Sequence, residues 1–225
     1  GSADTRDDQR RQGGELLRFV RASGQYRLQG AGQANHYQLF AERALDALRP
    51  GGRLGLILPG GIQLDAGSGH LRRRLLDTCD IDTWLAFDNR KGIFPVHRSQ
   101  RFVIVGATTG GVTHALPLRC GLDDAEMLAR LPDDPEQENS SVVVRLKGDV
   151  LRQWDPEHLA VPAVRTPMEL AIVCRALASP RLSDRRGWDM RFGRELNATD
   201  DRAHFADWPA GSSPSGPDPW LPVVD

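Results

Sequence analysis

Apolar residues recur at three- and four-residue steps over 37–48, at Leu39, Phe40, Ala44, Leu45 and Leu48. That spacing places them on one helical face. Pro50-Gly51-Gly52 ends the helix, because proline cannot continue the hydrogen-bond ladder and glycine takes the positive φ of a cap. Leu54, Leu56, Ile57 and Leu58 follow without polar alternation, which predicts a strand covered on both faces. Helix and strand together make half of a doubly wound α/β layer. Such sheets bind ligands beyond the carboxyl ends of their strands, so residues 59–68 are the first place to look for function.

The pattern continues as a glycine-rich loop over 60–69, a helix over 70–79, a strand over 81–87, a polar loop over 88–101 and a strand over 102–107. Helix-strand, helix-strand and a nearby strand read as the second half of a Rossmann-like sheet. Beyond it the reading is a smaller α+β segment, with strands over 112–118 and 141–146 and helices over 123–131 and 170–178. An acidic loop covers 132–140. Four stretches follow from this: a connecting segment over 1–34, the α/β half-sheet over 35–110, an α+β segment over 111–207, and a Pro/Gly/Ser-rich tail over 208–225. The cut between the second and third falls at Gly110-Gly111.

Charge changes the picture only locally. The 225 residues carry 29 Lys+Arg against 30 Asp+Glu, so bulk charge selects no partner. Residues 69–101 nevertheless hold seven cations and four acids, whereas 123–138 hold seven acids and one arginine. Three widely spaced cysteines, Cys79, Cys120 and Cys174, fit no C-x-x-C pattern and read as reduced thiols of a cytoplasmic protein. No apolar run approaches the roughly 20 residues of a membrane span. The six histidines have no ligand spacing, so no metal is expected.

Four pieces in order carry a resemblance: Asn35-His36-Tyr37-Gln38-Leu39-Phe40, then RPGGRLGLILPGGI, then GSGHLRRRLL, then FDNRKGIFPVHRSQRFVIV. Together they resemble the later half of the catalytic domain of gamma-class adenine-specific DNA methyltransferases. The nearest likeness is to the large methylases of type IIG restriction-modification and phage-exclusion systems. The likeness covers roughly 28–105 and continues more loosely through GWDMRFGRELNATDDRAHF, the segment that leads into target recognition in that family. It implies methyl transfer from S-adenosylmethionine to the exocyclic amine of a flipped adenine, with double-stranded DNA as partner and other restriction or defence-system subunits as further ones. The family's glycine motif for the cofactor and its (Asn/Asp)-Pro-Pro-aromatic motif are both missing from these residues. They are expected upstream, with the chain as a fragment that holds no catalytic residue of its own and is inactive alone.

Carried over residue by residue, the resemblance makes Phe94 in Ile93-Phe94-Pro95 the aromatic that packs against the extruded base. A base must leave its stack before its amine can be reached, and a π-face lowers the cost of holding it out. Read from the residues alone, Phe94 is equally a loop residue tucked into the core. Arg90, Lys91, Arg98 and Arg101 flank it and form a basic rim for the DNA backbone. Arg72, Arg73 and Arg74 read instead as a solvated helix face. Asn35, Tyr37 and Pro59 fall near the cofactor pocket, with an N-cap and a partly buried aromatic as the plain alternative for the first two.

Two other readings stay open. The chain is a non-catalytic DNA- or protein-binding module, or it is a complete small methyltransferase that cradles S-adenosylmethionine on Gly67-Ser68-Gly69. The latter stretch mimics the hydrophobic-acid-x-G-x-G signature, with Asp88 downstream to meet a ribose. It requires a continuous strand through Leu64, immediately after Pro59-Gly60-Gly61.

Overall fold

A computed structural model of the protein describes residues 14–15, 18–20, 22–28, 35–130, 143–185 and 187–191. The acidic stretch 132–140, most of the 187–205 segment and the 208–225 tail lie outside the described residues. Two compact units divide the chain, Gly1–Ser179 and Pro180–Asp225.

In the first unit, helix α1 (His36–Asp46) leads through a glycine turn to strand β1 (Arg53–Pro59). The helix ends at Asp46, short of Pro50, and the turn itself is made by Gly51 at φ +77°, where its N–H donates to the Thr109 carbonyl at 2.9 Å. Leu39, Ala41 and Leu45 are buried together with Gln38 and Glu42. Phe40 points outward and is 63% exposed, so the apolar face is rotated away from the one its spacing predicts. The Glu42 carboxylate explains part of that rotation. It is buried because it accepts the backbone N–H groups of Arg27 and Leu28, which anchors the preceding segment on α1.

Helix α2 (Gly61–Leu64), a 3₁₀ turn (Ala66–Ser68) and helix α3 (Gly69–Thr78) carry the chain back to β2 (Cys79–Asp88). Strand β3 (Arg101–Thr109) then folds back against β2, β4 (Ala115–Leu122) follows, and β5 (Val144–Lys147) completes the sheet. The spatial order is β1-β3-β2-β4-β5. Strand β3 is antiparallel to both β1 and β2, β4 is parallel to β2, and β5 is antiparallel to β4. Strands β1, β2 and β4 therefore all end at the same edge of the sheet. The protein is an α/β protein with a mixed five-stranded sheet.

Register sorts the side chains into two faces. Leu54, Trp84, Val105, Leu118, Val144 and Leu146 share one face, closed by Ala41 and Leu45 of α1, Leu71, Leu75 and Leu76 of α3, and Leu151 of α4 (Gly148–Trp154). The opposite face carries Leu85, Phe87, Phe102 and Leu122 in a smaller cluster. Toward β1 that second face opens. Gly55 and Ile57 are solvent-exposed, Ile57 to 56%, whereas Leu54 and Leu58 are buried. Coverage of β1 on both faces, expected from its unbroken apolar run, is thus corrected to coverage on one. Among the described residues no strand pairs with the outer edge of β1.

The expected boundary at Gly110-Gly111 is also corrected. Gly110 adopts φ +90° in a tight turn whose N–H donates to Thr78, and Gly111 approaches so near Asp80 that a Cβ there would stand 2.9 Å from the Asp80 Cβ. Buried Thr113 then donates to the Cys79 carbonyl and accepts from the Ile81 N–H. The glycine pair is a turn bound to the sheet, and β4 and β5 extend that sheet beyond it. Helix α5 (Pro167–Leu177) is capped by Thr166, which accepts the Glu169 N–H, while the Glu169 carboxylate accepts the N–H of Arg165, one residue before the cap. Among the described residues no helix is long and apolar enough to cross a membrane.

In the second unit the described residues form a turn around Asp184. Its carboxylate accepts the Arg181 N–H, and its carbonyl accepts the N–H groups of Gly187 and Asp189.

Candidate functional site

A cleft of about 220 Å³ opens where β1, β2 and β4 end, lined among others by Gln63, Phe87, Arg90, Arg101, Phe102 and Arg165. This is the edge at which open α/β sheets bind ligands. The aromatic rings come from the β2–β3 hairpin. Phe87 and Phe102 are register partners, so their rings stack face to face at 4.9 Å with 2° between planes. Phe94, on the loop joining the two strands, stands edge-on to Phe102 at 4.8 Å and 80°. Ile93 and Met127 pack against the same group. Phe94 is partly buried against this cluster; it rests on Phe102, which lines the cleft, but is not itself among the lining residues.

The loop owes its shape to Asn89, which is fully buried. Its Oδ1 accepts the Phe94 N–H at 2.9 Å, and its Nδ2 donates to the carbonyls of Phe94 and Val96 at 3.1 and 3.3 Å. The Asn89 N–H closes the base of the loop on the Gln100 carbonyl. Gly92, at φ +75°, supplies the left-handed residue the turn requires.

The four cations of the expected basic rim lie on this loop or at its end, and most are engaged. Arg90 pairs with Asp88 at 3.0 Å, and Lys91 bridges Asp123 and Asp124 at 3.3 Å each. Those carboxylates raise the Lys91 pKa above its ordinary value. Arg98 donates to the Arg90 carbonyl at 2.8 Å. Arg101 makes no ion pair among the described residues. Asp88, Asp123 and Asp124 thus offset much of the positive charge, and the rim is a mixed surface from which arginines must be drawn to meet phosphate.

The residues placed near the cofactor pocket separate from this group. Asn35 occupies the N-cap of α1, but its side chain makes no capping bond. The Tyr37 hydroxyl lies 2.8 Å from Ser68 Oγ, which also accepts from Gln38 Nε2 at 2.9 Å. Pro59 ends β1 and is exposed. None of the three lines the cleft. The Gly67-Ser68-Gly69 stretch does not follow a strand: residues 61–64 are helical, Ser68 is fully buried on Tyr37 and Gln38, and Gly69 opens α3.

Arg72 departs from its expected place on a solvated face. It is 1% exposed, and its guanidinium donates to the carbonyls of Ile62, Asp65 and His158 at 2.8–3.0 Å. Burial lowers its pKa, opposed by the nearby Asp155, Tyr37 and Asp65. Arg72 is thus a clamp that fixes the chain leaving β1, and it takes no part in the cleft. Burial likewise raises the Cys120 thiol, which Gln63 contacts at 3.5 Å, and this disfavours a reactive thiolate in the cleft. Among the described residues no group of His, Cys, Asp and Glu could hold a metal ion.

Phe87, Phe102, Asn89, Gln63 and Arg165 were not singled out by sequence reasoning. A hairpin reading of 79–109 signals the first two, because they are equidistant from the centre of the 88–101 loop. No protein-family model, curated protein or solved structure matches the chain.

Proposed function

We propose that the chain is the later part of the catalytic domain of an adenine-specific DNA methyltransferase, with a Rossmann-like sheet that continues beyond β1. In the intact enzyme the reaction is methyl transfer from S-adenosylmethionine to the exocyclic amine of an adenine flipped out of duplex DNA. The observation that carries this reading is the partly buried Phe94, set edge-to-face against Phe102, which itself stacks on Phe87 and lines the cleft at the carboxyl ends of β1, β2 and β4. A partly exposed ring already fixed by its neighbours meets a base without a further ordering cost, which is what capture of an extruded base requires. The outer edge of β1, unpaired among the described residues and uncharged from Leu54 to Leu58, supports a sheet completed by further strands, since such edges otherwise invite aggregation. S-adenosylmethionine is then held mainly by those further elements, with Tyr37 near its pocket.

Arg90, Arg98 and Arg101 serve as backbone contacts in this reading, and Lys91 joins them by exchanging Asp123 and Asp124 for phosphate. Complementation tests the proposal. This chain mixed with a polypeptide that supplies the glycine and (Asn/Asp)-Pro-Pro-aromatic motifs should methylate adenine, while each part alone should not. A mixture that associates yet transfers no methyl group would overturn it. For the reading as a complete small methyltransferase, calorimetry of S-adenosylmethionine with this chain decides: micromolar binding would favour it.

A further inference from the structure

We infer that Asn89 is a positioning residue, whose buried carboxamide sets the angle at which Phe94 meets an extruded base. The inference rests on the reading of Phe94 as the wall of the base pocket. A loop aromatic gains little as a stacking platform if it must first be ordered, because fixing each residue's backbone costs free energy that the stack then has to recover. Asn89 removes that cost in advance. It grips the Phe94 peptide on both sides, accepting from its N–H and donating to its C=O, and its second amide hydrogen reaches the Val96 carbonyl. Three of the four hydrogen bonds open to a carboxamide are therefore spent on one short piece of loop.

The placement is specific. Asn89 follows directly on β2, so its Cα is held by the sheet, and its side chain transmits the position of β2 to a residue five places along. Gly92 lets the intervening chain turn, and its N–H returns to the Asn89 carbonyl at 2.8 Å. Phe102, against which the Phe94 ring stands, is held by register with Phe87 on β2, the strand that Asn89 directly follows. Ring and backbone of Phe94 are thus both referenced to β2. No other residue type supplies the acceptor and both donors at this reach. Aspartate keeps the acceptor but turns a second oxygen toward two carbonyls, and alanine removes the acceptor of the Phe94 N–H and the donor to the Val96 carbonyl, leaving the Phe94 carbonyl with the Val96 N–H alone.

Two measurements test this. In hydrogen–deuterium exchange on the full chain, Asn89→Ala should speed exchange of the Phe94 amide about tenfold or more, while the β2 and β3 amides keep their protection. Unchanged exchange at Phe94 in Asn89→Ala would overturn the inference. In the intact polypeptide, 2-aminopurine at the target base reports extrusion. Phe94→Ala should lower the extruded population between about 5-fold and about 150-fold, the range for a lost base stack. Asn89→Ala and Asn89→Asp should lower it in the same direction, and a mismatch opposite the target, which makes extrusion cheaper, should restore it. If Phe94→Ala lowers the signal and the Asn89 variants do not, the inference fails and the reading of Phe94 stands. If none of the three changes it, the base-wall reading of Phe94 fails as well.

Discussion

One face of the sheet carries Leu54, Trp84, Val105, Leu118 and Leu146 beneath α1, α3 and α4, whereas the other carries Phe87 and Phe102 beneath a single loop. The first is a packed interior held by volume. Even its polar members serve that end: Arg72 ties the exit of β1 to the stretch beyond α4 through three carbonyls. The second is thin, aromatic and open toward β1, and its order comes from hydrogen bonds of Asn89 within the covering loop. The difference teaches where binding can occur. A face already filled has no surface left to offer a ligand, while on the thin face Phe87 and Phe102 are buried in their own stack and Phe94 above them stays partly exposed.

Mutations on the two faces should therefore separate stability from binding. The largest effect on folding is expected for Trp84→Ala, which empties the centre of the packed face and should cost about 3–5 kcal/mol in urea unfolding. Arg72→Ala comes next, at about 2–3 kcal/mol, because the carbonyls of Ile62, Asp65 and His158 lose their donors. A loss below about 0.5 kcal/mol would show that water replaces the guanidinium, and that the clamp is dispensable.

On the thin face the order reverses. Phe94→Ala should cost folding no more than about 1.5 kcal/mol, since the ring is only half-buried, but in the intact enzyme should weaken base capture by about 1–3 kcal/mol. Equal losses in both measurements would make Phe94 an ordinary core residue and erase the contrast. Arg98→Ala should leave folding unchanged and lower the slope of log affinity for DNA against log salt by about 1, at all sequences alike.

The smallest expected effect concerns acid. Burial works against the ionised Asp155 carboxylate, but the N–H groups of His158 and Ala160, helped by charges on His158 and Arg72, hold its pKa below the ordinary value. A carboxylate with a depressed folded pKa contributes stability in full above its unfolded pKa of about 4, and loses it as pH falls through the lower folded value. Asp155→Asn should accordingly flatten the acid limb of the stability profile below about pH 4 and leave that limb alone if the two N–H bonds are unimportant.

Much of the fold is legible in the sequence, and the misreadings have physical causes. The helix-strand alternation over 36–109 is written in periodicity and in Pro50-Gly51-Gly52, and the elements fall within a few residues of their predicted places. Periodicity reports apolar residues without saying what lies over them, so the unbroken run of β1 reads as doubly covered although Gly55 and Ile57 on its second face are exposed. Phe40 misled for a related reason: buried Glu42, satisfied by two backbone N–H groups, takes an inward position that hydropathy assigns to the aromatic. Gly110-Gly111 has the composition of a linker, but its function is set by Thr78 and Asp80, which are remote in sequence. Helix α4 is too short for any period to show.

The candidate site was legible in part. The loop bearing Phe94, Arg90, Lys91, Arg98 and Arg101 stands out by composition and by order of motifs. Its aromatic base does not, because Phe87 and Phe102 become neighbours only through antiparallel pairing of β2 with β3. Asn89 was hidden for the same reason that it matters. A buried carboxamide is identified by its partners, and those are backbone atoms with no side-chain signature.

The most direct test of the account is transfer of labelled methyl from S-adenosylmethionine to duplex DNA by the intact polypeptide, followed by digestion to nucleosides. Label should appear in adenine methylated on its exocyclic amine, and Phe94→Ala should reduce it by between about 5-fold and about 150-fold while the variant still folds. DNA without labelled adenine, or equal labelling by the two proteins, would contradict it.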